Sequence, residues 1–181
     1  IPCGYTNSLG NNTGEKAYDM PAEYDPAIKT VYVPSYRGIE NIFGHILKIT
    51  DGCKADIQTN AGGRLSKFYT CDNPANYQDV DFTGYTYKGN LPRVAGYITS
   101  LMLGEYGDIA PLTAGGTGAS ATTFICDYIT TDVVSYTGQR MVIYGGHGYN
   151  GLMSGNGCIG VIYSPLEYNN LNGSRLCYMP L

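Results

Sequence analysis

His45-Ile46-Leu47-Lys48-Ile49-Thr50-Asp51-Gly52-Cys53-Lys54-Ala55-Asp56-Ile57 carries the strongest short-range fold signal in the chain. Two runs that mix apolar and polar residues flank Asp51-Gly52. Asp-Gly tolerates the positive φ of a type I′ turn, so the stretch predicts a β-hairpin. Upstream, Val31-Tyr32-Val33 predicts a short strand ended by Pro34. Downstream, Phe68 to Cys71, Thr123 to Ile129, Met141 to Tyr144, Ile159 to Tyr163 and Arg175 to Met179 are strand candidates. One helix is expected. Leu91, Val94, Ala95, Ile98, Leu101 and Met102 recur at helical spacing, with Asn90 to cap, Pro92 in the first turn and Gly104 to stop it. Residues 72–83 and 113–121 read as loops. Several short strands with about one helix give an α+β domain with twisted antiparallel sheets, few helices and long Gly-rich loops. Residues 1–30 are polar and turn-rich and read as an N-terminal arm or lead-in. Residues 31–181 form the domain.

Composition narrows the partners. The chain has 11 basic and 15 acidic residues in 181, a net charge of −4, and no basic run. A phosphate-tracking stripe is therefore absent, and nucleic acid is not an expected partner. No stretch approaches the roughly 18 continuous apolar residues of a membrane helix, so no membrane insertion is expected. At 43% apolar, the chain can still bury a core. It holds 18 Tyr against 4 Phe and no Trp, together with 25 Gly. Tyr supplies a rigid ring with a polar tip and suits recognition loops, whereas Gly supplies tight turns.

The sequence offers little for catalysis. Cys3, Cys53, Cys71, Cys126, Cys158 and Cys177 show no closely spaced metal-binding pair. Their even number allows three disulfides, but the apolar settings of Cys126 and Cys158 favour buried free thiols. His45 and His147 are the only histidines, and neither falls in a zinc-protease or nucleophile-elbow motif. A Cys/His dyad remains an alternative to a contact histidine. Asp72, Asp79, Asp81, Glu105 and Asp108 lack the spacing of a calcium loop and read as carboxylates in solvated turns. No cofactor and no metal are expected. Asn11-Asn12-Thr13 and Asn172-Gly173-Ser174 match the glycosylation pattern.

The last third is unlike the rest. Tyr144 to Gly155 and Tyr163 to Asn172 have no regular period and are rich in Tyr, Asn and Gly. Both read as loops between strands, with Gly146, Gly151, Gly155 and Gly173 shaping them. Exposed Tyr, Met and Leu on loops suggest that something binds there. Leu152 or Leu171 is expected to pack inward instead.

Tyr36-Arg37-Gly38-Ile39-Glu40-Asn41-Ile42-Phe43-Gly44-His45, with Thr50-Asp51-Gly52 after it, resembles a segment of a family of gut-phage and Bacteroides-associated proteins. That family looks like the variable proteins of diversity-generating retroelements. Cys71-Asp72-Asn73-Pro74, Leu91-Pro92-Arg93, Gly104 to Ile109, Phe124 to Tyr128, Arg140 to Gly146 and Gly173 to Leu176 extend the resemblance over most of residues 36–181. It implies a C-type-lectin-like fold whose C-terminal region, about 140–181, varies on a fixed scaffold. There are departures. Asn41-Ile42-Phe43 stands where a Pro is expected, and Leu47 and Ile49 stand where aromatics are usual. The Glu-Pro-Asn and Trp-Asn-Asp signatures of calcium-dependent sugar binding are missing, so that activity does not carry over. Cys158 and Cys177 are too far apart for the cysteine pair of formylglycine-generating enzymes.

The expected function is a non-enzymatic receptor- or ligand-binding module, on a phage tail fiber within the virion or on a bacterial cell surface. The expected partner is a host cell-surface protein or glycan, and a homotrimer is possible because the arm lacks a core of its own. His147, Tyr149, Asn150, Leu152, Met153, Tyr163, Tyr168 and Asn169 are the expected contact residues. A surface adhesin or pilus-tip protein of the same fold, or an enzyme on it, is the alternative.

Overall fold

The computed structural model describes residues 4–21, 27, 29–59, 65–105, 107–148, 150–167 and 171–173. Among these the chain is built from β-strands. There is no α-helix, only single 3₁₀ turns at Asn7–Leu9, Pro74–Asn76 and Gly151–Met153. Among the described residues no helix is long and apolar enough to cross a membrane.

Three strands form a small sheet in the order β1-β2-β3: β1 (Gly14–Asp19), β2 (Thr30–Tyr36) and β3 (Ile39–Glu40). Part of the lead-in is thus a strand, antiparallel to β2. The Glu40 carboxylate holds the segment before it by accepting from Gly4 N (3.0 Å), Thr6 N (2.6 Å) and the Thr6 hydroxyl (2.8 Å). These residues pack on their own chain, which removes the arm-based motive for a trimer. Pro34 does not end β2. Its carbonyl accepts from Asn41 N, so its missing N–H falls where the short β3 has already stopped.

The larger sheet runs through β4 (Leu47–Ile57), β5 (Ser66–Thr70), β6 (Thr86–Asn90), β7 (Gly96–Leu103), β8 (Ile109–Ala114), β9 (Tyr128–Thr130), β10 (Gly138–Tyr144) and β11 (Ile159–Gly160). Its order is β6-β5-β4-β10-β11-β9-β7-β8, with β12 (Asn172–Gly173) beside the start of β4. The β11–β9 and β12–β4 pairs are parallel and the rest are antiparallel. The two ends of this path meet. Lys88 of β6 pairs with Asp108, just before β8, at 2.8 Å. A Cβ on Gly89 would lie 2.7 Å from Met102 Sδ of β7. The sheet therefore curls around a core that includes Ala55, Ile57, Phe68, Ile98, Ile129 and Val161.

The expected hairpin is one continuous strand. Only Gly52, at φ 75°, takes a positive φ, whereas a type I′ turn needs it at both central residues. Against β10, Thr50 pairs with Val142 and Lys54 with Met141, so Asp51, Gly52 and Cys53 bulge out. An odd-numbered insertion reverses which residues face which side. Before the bulge Leu47 and Ile49 face a second, outer cluster with Met141 and Ile143. After it Cys53, Ala55 and Ile57 face the main core, and Lys54 takes the outer side.

The expected helix is strand β7. Ile98 and Met102 lie on one face against the core, while Leu101 and Leu103 point away. A spacing of four residues returns to the same face in a helix and in a strand, so those apolar positions fit both. Pairing with β8 and β9 selects the strand. Three loop and strand assignments also change. Thr113 and Ala114 belong to β8, the Thr123 to Ile129 strand shortens to Tyr128–Thr130, and Ile159 to Tyr163 shortens to Ile159–Gly160. Arg175 to Met179 lies outside the described residues.

Candidate functional site

The loop between β10 and β11 is closed by its own backbone. Gly145 N donates to Cys158 O (2.9 Å), and Gly44 N donates to Gly145 O (2.8 Å). Gly146, at φ 71°, lets the loop fold onto Ser154; a Cβ there would sit 2.5 Å from Ser154 Oγ. Asn150 and His147 clamp each other: His147 N donates to Asn150 Oδ1 (2.7 Å), and Asn150 N donates to His147 O (2.9 Å). Ser154 Oγ donates to the same His147 carbonyl at 3.2 Å. At the far end Gly157 N donates to Asp127 Oδ1 at 3.0 Å. The loop is thus a fixed platform with short polar ties beneath it.

The expected contact residues are placed unequally. Leu152 stands out at 80% exposure, so of the two leucines of which one was expected to pack inward, it is Leu171 that does so. His147, Asn150 and Met153 are half-buried. Burial holds the His147 imidazole below the usual histidine range, so its neutral form is favoured. Asn150 spends its carbonyl on the loop. Tyr163 packs, half-buried, against the outer cluster of Leu47, Met141 and Ile143, as does Leu171. Tyr149, Tyr168 and Asn169 lie outside the described residues.

Other exposed side chains escaped the sequence reading. Phe124 is fully exposed although its run, Thr-Phe-Ile-Cys, looked like a strand. Val80 and Leu166 are 85% and 84% exposed. A cleft of about 200 Å³ lies beside the β4 bulge. Its floor is Ile49 and Met141, its wall is Lys54 and Tyr85, and Asp51, Asp79 and Glu167 stand around it.

Lys54 organises that wall. It is 3% exposed, and its ammonium donates to Asp81 O at 2.6 Å and to Gln78 O. It also lies 4.2 Å from the Tyr85 ring centroid and 5.3 Å from that of Phe82. Burial pulls its pKa below the usual lysine range, while Asp79 and Asp81 oppose that shift. Phe82 in turn stacks on Tyr69 at 4.4 Å, so the 71–85 segment covers the outer face of β5 and β6.

The thiols and carboxylates are arranged for structure. Cys53, Cys71, Cys126 and Cys158 are free. Cys126 is exposed, not buried as expected, because its segment is irregular backbone rather than strand. Burial pushes the Cys53 and Cys158 thiols up to about 11, with nearby Asp108 and Asp127 adding to it. Both are protonated at neutral pH and are poor nucleophiles. Among the described residues no three His, Cys, Asp or Glu side chains group to hold a metal. Asp81 instead accepts from Thr83 N (2.7 Å), and Asp108 pairs with Lys88. The Asn172 amide is buried, whereas Asn11 is exposed, so of the two glycosylation patterns only Asn11 is open.

No family model matches this chain, and no curated protein or solved structure is similar to it.

Proposed function

We propose that the chain is a non-enzymatic ligand-binding module of C-type-lectin-like type, carried on a phage tail or a bacterial cell surface and binding a host surface protein or glycan. The observation that carries this reading is the Gly145–Cys158 loop. Its backbone is tied by its own hydrogen bonds, while Leu152 projects into solvent at its tip. Rigid loops presenting exposed side chains lose little entropy on binding. The raised thiol pKa values of Cys53 and Cys158 count against either of these two as the nucleophile of a cysteine enzyme.

The test is binding of the purified chain to a panel of bacterial cells and to a glycan array. His147→Ala with Leu152→Asp is expected to abolish the signal and leave the fold intact by circular dichroism. Binding in EDTA is expected to equal binding in calcium. Unchanged binding by the double variant overturns the assignment of this loop as the ligand face. No binding to any surface, together with turnover of a substrate, overturns the module reading. A near-copy of the codons for 140–181, differing at adenines beside a reverse-transcriptase gene, is expected in the source genome.

A further inference from the structure

We propose that Asn156 is a self-modification site: the Gly157 backbone nitrogen attacks its side-chain amide, and Asp127 takes the proton. The product is a succinimide that opens to aspartate and isoaspartate. This chemistry is independent of the binding-module reading and holds whatever the chain binds.

The chain contains three Asn-Gly pairs, at 150–151, 156–157 and 172–173. Glycine after asparagine leaves the attacking nitrogen unshielded by a Cβ, so these pairs are where the reaction is sterically open. The fold closes two of them. The Asn150 side-chain carbonyl accepts from His147 N at 2.7 Å, which holds that amide in the loop clamp. Both polar atoms of the Asn172 amide are buried, and Gly173 is paired with β4, so this amide is shielded from the water that the reaction consumes. Asn156 and Gly157 are exposed, in a tight turn that Cys158 N closes by donating to Gly155 O at 3.1 Å.

Asp127 sets Asn156 apart a second time. Gly157 N donates to Asp127 Oδ1 at 3.0 Å. A Cβ on Gly157 would lie 2.5 Å from Asp127 Oδ2, and one on Gly155 would lie 2.9 Å from Oδ1, so the turn wraps closely on this carboxylate. An amide nitrogen becomes nucleophilic as its proton leaves, and a carboxylate in hydrogen-bond contact with that proton is placed as general base. The Gly157 proton passes to Asp127. A bond forms between Gly157 N and Asn156 Cγ, and the bond from Cγ to its own nitrogen breaks. That nitrogen leaves as ammonia, carrying the proton from Asp127. Water then opens the ring. Opening at the side-chain carbonyl gives aspartate, and opening at the main-chain carbonyl gives isoaspartate, with one extra methylene in the backbone. The imide nitrogen has no proton, so the tie from Gly157 to Asp127 is lost while the ring persists. Either acid then adds a charge that repels Asp127.

The test ages the purified full chain at neutral pH and maps aspartate and isoaspartate by tandem mass spectrometry, with heavy-oxygen water marking the ring opening. Label is expected at position 156 well ahead of 150 and 172. Asp127→Asn keeps an acceptor for Gly157 N and removes the base, and it is expected to slow the reaction at Asn156 on the order of tenfold. Circular dichroism checks that this variant folds. The pH dependence of the parent chain is a second readout that needs no variant. Hydroxide alone raises such a rate about tenfold per pH unit, and a bound general base flattens that slope. A flattened slope in the parent is therefore expected. Label appearing first at 150 or 172, or at none of the three, overturns the proposal. So does a full hydroxide slope in the parent, or a folded Asp127→Asn chain that reacts at Asn156 as fast as the parent.

Discussion

Gly52 and Cys71 are locked together across the β4 bulge. Cys71 N donates to Gly52 O at 2.8 Å, and a Cβ on Gly52 would lie 2.7 Å from Cys71 O and equally close to the Tyr77 hydroxyl. This contact fixes the bulge, and the bulge sends Ala55 and Ile57 to the core and Lys54 to the cleft. Gly52→Ala adds a clash to a left-handed backbone, which alone costs about 1–2 kcal/mol. Denaturant melts are expected to show at least that loss. A variant as stable as the parent would mean that the bulge relaxes freely.

Lys54→Met retains the stem and deletes the ammonium. The Gln78 and Asp81 carbonyls then lose a charged donor, and the expected loss is about 1–3 kcal/mol. Hydrogen exchange is expected to rise across 77–85 ahead of the β4–β10 strands. Uniform exchange throughout the chain would place the role of Lys54 in the global fold instead.

Thiol reactivity distinguishes the cysteines. In the native protein at pH 8, iodoacetamide is expected to label Cys126 and to spare Cys53 and Cys158, by peptide mass mapping. The folded thiols of Cys53 and Cys158 titrate near 11 against an ordinary value of 9.0. Between these values the unfolded chain releases protons that the folded chain keeps. Stability from both groups is therefore complete below pH 9 and is lost as pH rises toward 11.

Acid acts through the histidines in the opposite sense. Burial lowers the pKa of both His45 and His147 from 6.5. Below 6.5 the unfolded chain takes up protons first, so their contribution is present above 6.5 and is lost as pH falls through the folded values. Melting temperature is expected to drop on acidification from pH 7 to 5, and His147→Gln should flatten part of that slope. An unchanged slope would assign the drop to His45.

Core and surface substitutions separate scaffold from platform. Ile129→Ala removes a fully buried side chain and is expected to cost about 2–5 kcal/mol. Phe124→Ala and Leu152→Ala remove exposed ones and are expected to stay within about 0.5 kcal/mol. A large loss at Phe124 would contradict its placement.

The sequence alone determined that the chain is strand-dominated, turn-rich and poor in basic stretches. It also located strands at 31–33, 68–70 and 141–144, because alternation and β-branching are local properties that neighbours only reinforce. The mixed Tyr, Asn and Gly composition after Tyr144 identified irregular backbone there, and the loop from Gly145 to Cys158 is irregular apart from one 3₁₀ turn. Tertiary structure alone decided the rest. Asp51-Gly52 suits a hairpin and a bulge equally, and only the partners β10, β5 and β12, from distant parts of the chain, make it a bulge. Ile98 and Met102 suit a helix and a strand equally, and only β8 and β9 settle β7. The cleft was invisible for the same reason. Its carboxylates at 51, 79 and 167 come together through pairing at long sequence separation, which no local pattern encodes.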